Sequence, residues 1–232
     1  MKQSIGLVFT LLLSFLTYAD DVVDKVYHPY VLPFEKDVEW RFMSRQNSSG
    51  NDLLQRVAFG HALSENLISE VFIVGERDQN GDFSMAAYEL EFRWMLTEQG
   101  QYWVDWGMLL EVEKTHKSNE WEASIGLLNE KQWDRTSLTT NFIVKYLWGT
   151  DRSRKNNTEA ELRMKWRYRL RPSLQPAIEL YTDRNFLGLG PSLMGEARFS
   201  PRRRLKWEVA FISGLNGDSK DHTLRAALEY KF

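Results

Sequence analysis

The sequence predicts an all-β chain, closed into an antiparallel transmembrane barrel of about twelve strands. Three observations carry that expectation. Runs of roughly ten residues alternate apolar and polar, the period of a half-buried strand. Polar breaks separate these runs, and after the first twenty residues no apolar stretch reaches the length of a membrane helix. The chain closes on LRAALEYKF, in which Leu224, Ala226, Leu228, Tyr230 and Phe232 share one face.

The N-terminus stands apart. MKQSIGLVFTLLLSFLTYA has one lysine, an apolar core from Ile5 to Leu16, and Ala19 before Asp20-Asp21. That is the layout of a signal peptide, assigned to 1–19. A membrane anchor is the competing reading, but the core falls short of the ~20 residues a span needs. Cleavage after Ala19 takes the formal charge from −2 to −3 by removing Lys2, a near balance that argues against a nucleic-acid partner. Residues 20–36 hold Pro29 and Pro33 (HPYVLPFEK), which suit neither strand nor helix, and are read as an extended periplasmic lead-in. The barrel is assigned to 37–232.

The expected strands follow in order. Val38 to Arg45 is the first. Leu54 to Leu63 and Leu67 to Arg77 flank a tight break at Ser64 to Asn66, and Ala86 to Leu96 and Tyr102 to Lys114 flank Thr97 to Gly100. Trp121 to Lys131 and Ser137 to Trp148 flank Gln132 to Arg135, and Ala160 to Leu170 and Leu174 to Thr182 flank Arg171-Pro172-Ser173. Ser192 to Phe199, Leu205 to Ser213 and Leu224 to Phe232 complete the set. The other breaks (QNSSGND, DQNGDFS, HKSNE, GTDRSRKNNT, NFLGLGP, NGDSKDH) read as longer, so short turns are expected at one end and longer loops at the other.

This architecture and the ends of the chain resemble the Gram-negative outer-membrane β-barrel proteins, porin-like transport proteins among them. The resemblance implies an outer-membrane location, contact with its lipids, and recognition of the strand ending in Phe232 by the barrel-assembly machinery. The Pro-bearing lead-in and RVAFGHALSENLISEVFI are also similar to channel proteins of the phenol-degradation MetA type.

In such a barrel, alternate side chains face lipid and lumen. ELRMKWRYRL places Leu162, Met164, Trp166, Tyr168 and Leu170 toward lipid, and Arg163, Lys165, Arg167 and Arg169 toward the lumen. The opposite registry costs roughly 2–4 kcal/mol for each cation at mid-membrane. A soluble sandwich could show the same alternation, but the many long strands and the terminal Phe oppose it. The same rule assigns Glu89, Glu91, Arg93, Asp105, Glu111, Glu113 and Glu122 to the lumen. An acidic wall on the fourth to sixth strands thus faces a cationic ladder on the eighth. Separated by water, the two make a narrow pore for small polar or charged solutes; in contact, they make a closed barrel without conductance. Trp94, Tyr102, Trp121, Trp148, Tyr168, Trp207 and Tyr230 fall near strand ends, where interfacial girdles form.

Function classes narrow further. There is no cysteine, which excludes disulfides, thiolate metal sites and Cys nucleophiles. Neither GxSxG nor HExxH occurs. His28, His61, His116 and His222 are read as solvated or structural, so neither an enzyme nor a cofactor is expected; a membrane-embedded hydrolase built on His116 or His222 is the remaining enzymatic reading.

Overall fold

The computed structural model describes residues 23–47, 50–77, 81–152, 156–201, 203–216 and 222–232. The expected signal segment lies outside them. Twelve strands form: β1 (Lys36–Asn47), β2 (Gly50–Ala62), β3 (Leu67–Arg77), β4 (Phe83–Met95), β5 (Asp105–Thr115), β6 (Glu120–Trp133), β7 (Thr136–Gly149), β8 (Asn157–Tyr168), β9 (Gln175–Thr182), β10 (Leu187–Arg198), β11 (Arg204–Gly214) and β12 (His222–Lys231). Each pairs antiparallel with its neighbours in sequence, and β1 pairs with β12 from Asp37↔Lys231 to Gln46↔His222. Closure leaves no strand edge unpaired, the condition for backbone placed in lipid.

Alternation sorts the side chains. On β1, Asp37, Glu39, Arg41, Met43 and Arg45 are buried inside, while Val38 and Trp40 are exposed outside. On β3, an apolar run with no clear sidedness in sequence, Ile68, Glu70, Phe72 and Val74 point in, and Val71 and Ile73 point out. On β12, Leu224, Leu228, Tyr230 and Phe232 face outward around buried Arg225, Glu229 and Lys231. Outside, Trp121 stacks on Trp148 with ring centroids 6.2 Å apart, and Tyr146 on Trp148 at 5.6 Å, beginning an aromatic belt at one rim.

The expected contrast of loop lengths is not present. The connections at one end span 48–49, 78–82, 116–119, 150–156, 183–186 and 215–221; those at the other span 63–66, 96–104, 134–135, 169–174 and 199–203. Backbone pairing needs no apolar side chain, so strands run on into polar sequence: Asn47 still pairs with Gly50, and Gln132 with Ser137. The 134–135 connection is a two-residue hairpin, with Asp134 at φ 42°. NFLGLGP is mostly strand rather than loop. Gly190 permits this, because a Cβ there would sit 1.8 Å from the Phe211 carbonyl oxygen. Pro191 lies opposite Ile178 of β9; on the β11 side, where it has no N–H to give, pairing skips from Leu189↔Ser213 to Ser192↔Ala210. At the rim, the Asn119 N–H donates to Asp151 at 2.7 Å and holds that exposed carboxyl below its usual range.

Candidate functional site

The lumen is occupied by the chain itself. Residues 23–35, expected as a periplasmic lead-in, have no strand or helix, and they run inside the barrel. Their partners come from strands around the whole circumference. Asp24 lies 3.4 Å from Arg41 of β1, 3.5 Å from Arg56 of β2 and 3.5 Å from Arg163 of β8, while its carbonyl accepts from Arg225 of β12 at 2.8 Å and from the Tyr181 hydroxyl of β9 at 2.5 Å. Lys25 reaches Glu39 at 2.8 Å.

Tyr27 is fully buried and held by its backbone. Its N–H donates to Asn141 Oδ1, and its carbonyl accepts from Asn141 Nδ2, both at 2.7 Å. One side-chain amide on β7 thereby satisfies both backbone groups of an unpaired segment, which would otherwise be costly to bury. The Tyr27 ring packs on Leu109, Leu128 and Ile143, with the Arg41 guanidinium 5.5 Å from its centroid. Pro29 rests on the bare backbone of Gly107, where a Cβ would come within 2.9 Å. Tyr30 donates to Asp105 at 2.8 Å and accepts from Gln132 at 2.8 Å. Val31 packs with Ala62 and Ile68. The segment then turns over Leu32 to Glu35, with Pro33 at the second position and Phe34 at φ 59°, and becomes β1.

The two charged walls do not meet. Arg163 pairs with Glu161 at 2.5 Å, Lys165 with Glu208 at 2.9 Å and Glu179 at 3.1 Å, and Arg167 with Glu130 at 3.2 Å. Arg169 follows β8 and bonds Gln132 at 3.0 Å and the Asp134 carbonyl at 2.8 Å. Across the lumen, Glu89 pairs with Arg56 at 3.0 Å, Glu122 with Lys145 at 3.4 Å, and Arg93 with Glu70 at 3.1 Å. Asp105 is buried near the rim, where it accepts from Gly100 N–H at 2.8 Å and from Tyr30. Glu91 is buried and Glu111 and Glu113 are half-buried on the same wall. The cations are answered by neighbours on their own side, Glu89 and Glu122 of the acidic wall by Arg56 and Lys145, and the N-terminal segment lies between the walls.

Several interior groups were not singled out in the sequence: Asp24, Glu39, Arg41, Arg56, Glu130, Asn141 and Lys145. The charged ones on β1 and β2 obey the alternation already used elsewhere. Asp24 and Asn141 carry no pattern of their own. A cavity of about 140 Å³ remains beside the segment, bordered by Lys25, His28, Arg41, Lys165, Arg167 and Arg225. Of the other histidines, His116 packs edge-on against Tyr88 at 5.7 Å, and His222 contacts Gln46 and Phe211.

No protein-family model matches the chain, and no curated protein matches it. Solved structures do. The COG4313 outer membrane channel from Pseudomonas putida F1 superposes with a TM-score of 0.56 at 10% identity, over 90% of this chain and 100% of that one. The KdgM porin in complex with disordered oligogalacturonate gives 0.55 at 10% identity, over 84% and 99%. The translocator domain of autotransporter NalP from Neisseria meningitidis gives 0.54 at 12%, over 88% and 90%. The fold is therefore one shared with outer-membrane β-barrel channels and with autotransporter barrels.

Proposed function

We propose that this protein is a narrow channel of the bacterial outer membrane for passive diffusion of small polar or charged solutes, shut in the described conformation by its own residues 23–35. The observation that carries the reading is the way the segment is fastened. Beside the apolar seats of Val23, Val26, Tyr27 and Val31, ionic and polar contacts fasten it: Asp24 to three arginines, Lys25 to Glu39, and Tyr27 to Asn141. Water and passing ions can take over each of those polar partners when the segment leaves. The path so exposed would run between the acidic wall of β4 to β6 and the cations Arg163, Lys165, Arg167 and Arg169. An outer-membrane location is supported by the likeness to barrels of that membrane and by the outward apolar face of the strand ending in Phe232, which suits recognition by the assembly machinery.

A second reading is a closed barrel without conductance. The pairs Lys165–Glu179 and Arg225–Glu179, at 3.1 and 2.8 Å, favour it, since they tie interior groups together independently of the segment. Swelling of liposomes holding the barrel with residues 20–31 deleted separates the two. The channel reading predicts entry of small charged and neutral solutes; a folded deletion chain that admits none supports the closed barrel.

A further inference from the structure

On the inner faces of β3 to β6, six neighbouring carboxylates, Glu70, Glu89, Glu91, Glu111, Glu113 and Glu122, form one group with a charge problem. The register sets Glu91 directly opposite both Glu70 and Glu111, and Glu113 opposite both Glu89 and Glu122. Like charges facing each other across strands are destabilising, and buried ones more so. Among the described residues, cations answer three of the six: Arg93 at Glu70, Arg56 at Glu89 and Lys145 at Glu122.

Glu91 is the exception that points to a ligand. It is fully buried at 0% exposure, and neither of its carboxylate oxygens has a hydrogen-bond partner among the described residues. Glu89 spends one oxygen on Arg56 and leaves Oε1 buried without a donor among the described residues. Oxygens of Glu89, Glu91 and Glu111 lie within 4.8 Å of one another. Ligands at roughly 2.3–2.6 Å on opposite sides of one hard cation are separated by about that distance.

We propose that Glu89, Glu91 and Glu111 hold a calcium ion inside the barrel wall. The donors are all carboxylate oxygens, which select a hard cation over zinc or copper. Two flexible side chains on β4 and one on β5 suit calcium, with its loose coordination of six to eight oxygens, better than octahedral magnesium; water would complete the shell. The ion ties β4 to β5 where their inner faces otherwise repel. A second acidic group, Glu35, Asp37 and Glu229, also holds a buried carboxylate without a hydrogen-bond partner among the described residues, Asp37, but there Lys231 already supplies a cation to Glu35 and Glu229.

The test is calorimetric titration of calcium into the folded, chelator-treated full-length barrel in detergent. One saturable site per chain is expected, lost in Glu91→Gln/Glu111→Gln and kept in Asp37→Asn. A rise in the unfolding midpoint of the unaltered chain on adding millimolar calcium is expected as well, and this readout stands even if the double variant fails to fold. Absence of both binding and midpoint shift in the unaltered chain would mean that protons neutralise the cluster, and would overturn the proposal. Undiminished binding in a folded double variant would overturn it too.

Discussion

Asp24→Asn is the sharpest perturbation of the internal segment. The substitution keeps the side chain's shape and removes the one negative charge at which Arg41, Arg56 and Arg163 converge at 3.4–3.5 Å. Removing one partner of a buried ion pair costs about 3–5 kcal/mol. Each arginine keeps another carboxylate, Glu39, Glu89 and Glu161 respectively, so the low end, about 3 kcal/mol, applies. At 1.4 kcal/mol per tenfold, the ratio of seated to released segment falls about 10²-fold. The assay uses the absence of cysteine in the chain. Val26→Cys places a single thiol on a residue only 5% exposed, and a membrane-impermeant maleimide reports its release. While reseating outpaces the reaction, labelling follows the released population. A rise of about 10²-fold in Asp24→Asn is expected. An unchanged rate in a folded barrel would refute the ionic account of the seat.

Other outcomes follow from the same contacts. Asn141→Leu strands the Tyr27 N–H and carbonyl at about 1–3 kcal/mol each, so labelling at position 26 should rise as in Asp24→Asn without any change of charge. Phe34→Asn relieves a left-handed residue at φ 59°, worth about 1 kcal/mol, and should slow labelling about fivefold. Gly190→Ala drives a Cβ into the Phe211 carbonyl, and the heat-modifiable folded band on gels should disappear. In the chain lacking residues 20–31, Lys165→Gln leaves Glu179 and Glu208 short of a cation and should move the reversal potential in a salt gradient toward cation selectivity.

Period-2 alternation made eleven of the twelve strands legible, because an apolar outer face and a polar interior impose opposite chemistry on successive residues; β3, apolar on both faces, was placed by its length and its flanking turns. Alternation failed at strand ends, where backbone pairing continues through Asn51 and Asp52 without apolar support, and so the loop lengths were misjudged. It also left the lumen's occupant unseen. A trace of it was present. Leu109-Leu110, Leu127-Leu128 and Ile143-Val144 are apolar on both faces; the inner member of each pair, Leu109, Leu128 and Ile143, is the seat of Tyr27. An apolar residue facing a polar lumen asks for an apolar cover. The partners of the charged groups were beyond the sequence for a different reason: Asp24 meets residues up to 201 positions away, and only closure of the barrel brings them together.

The central claim is that residues 23–35 close a conducting lumen. Single-channel recording in a planar bilayer tests it, comparing the chain from residue 20 onward with the same chain lacking residues 20–31. The account predicts that the chain from residue 20 onward is silent or opens in rare steps and that the deletion chain conducts in discrete, persistent steps. Equal conductance of the two would show that the segment does not occlude the path, and silence of a folded deletion chain would show that there is no path to occlude.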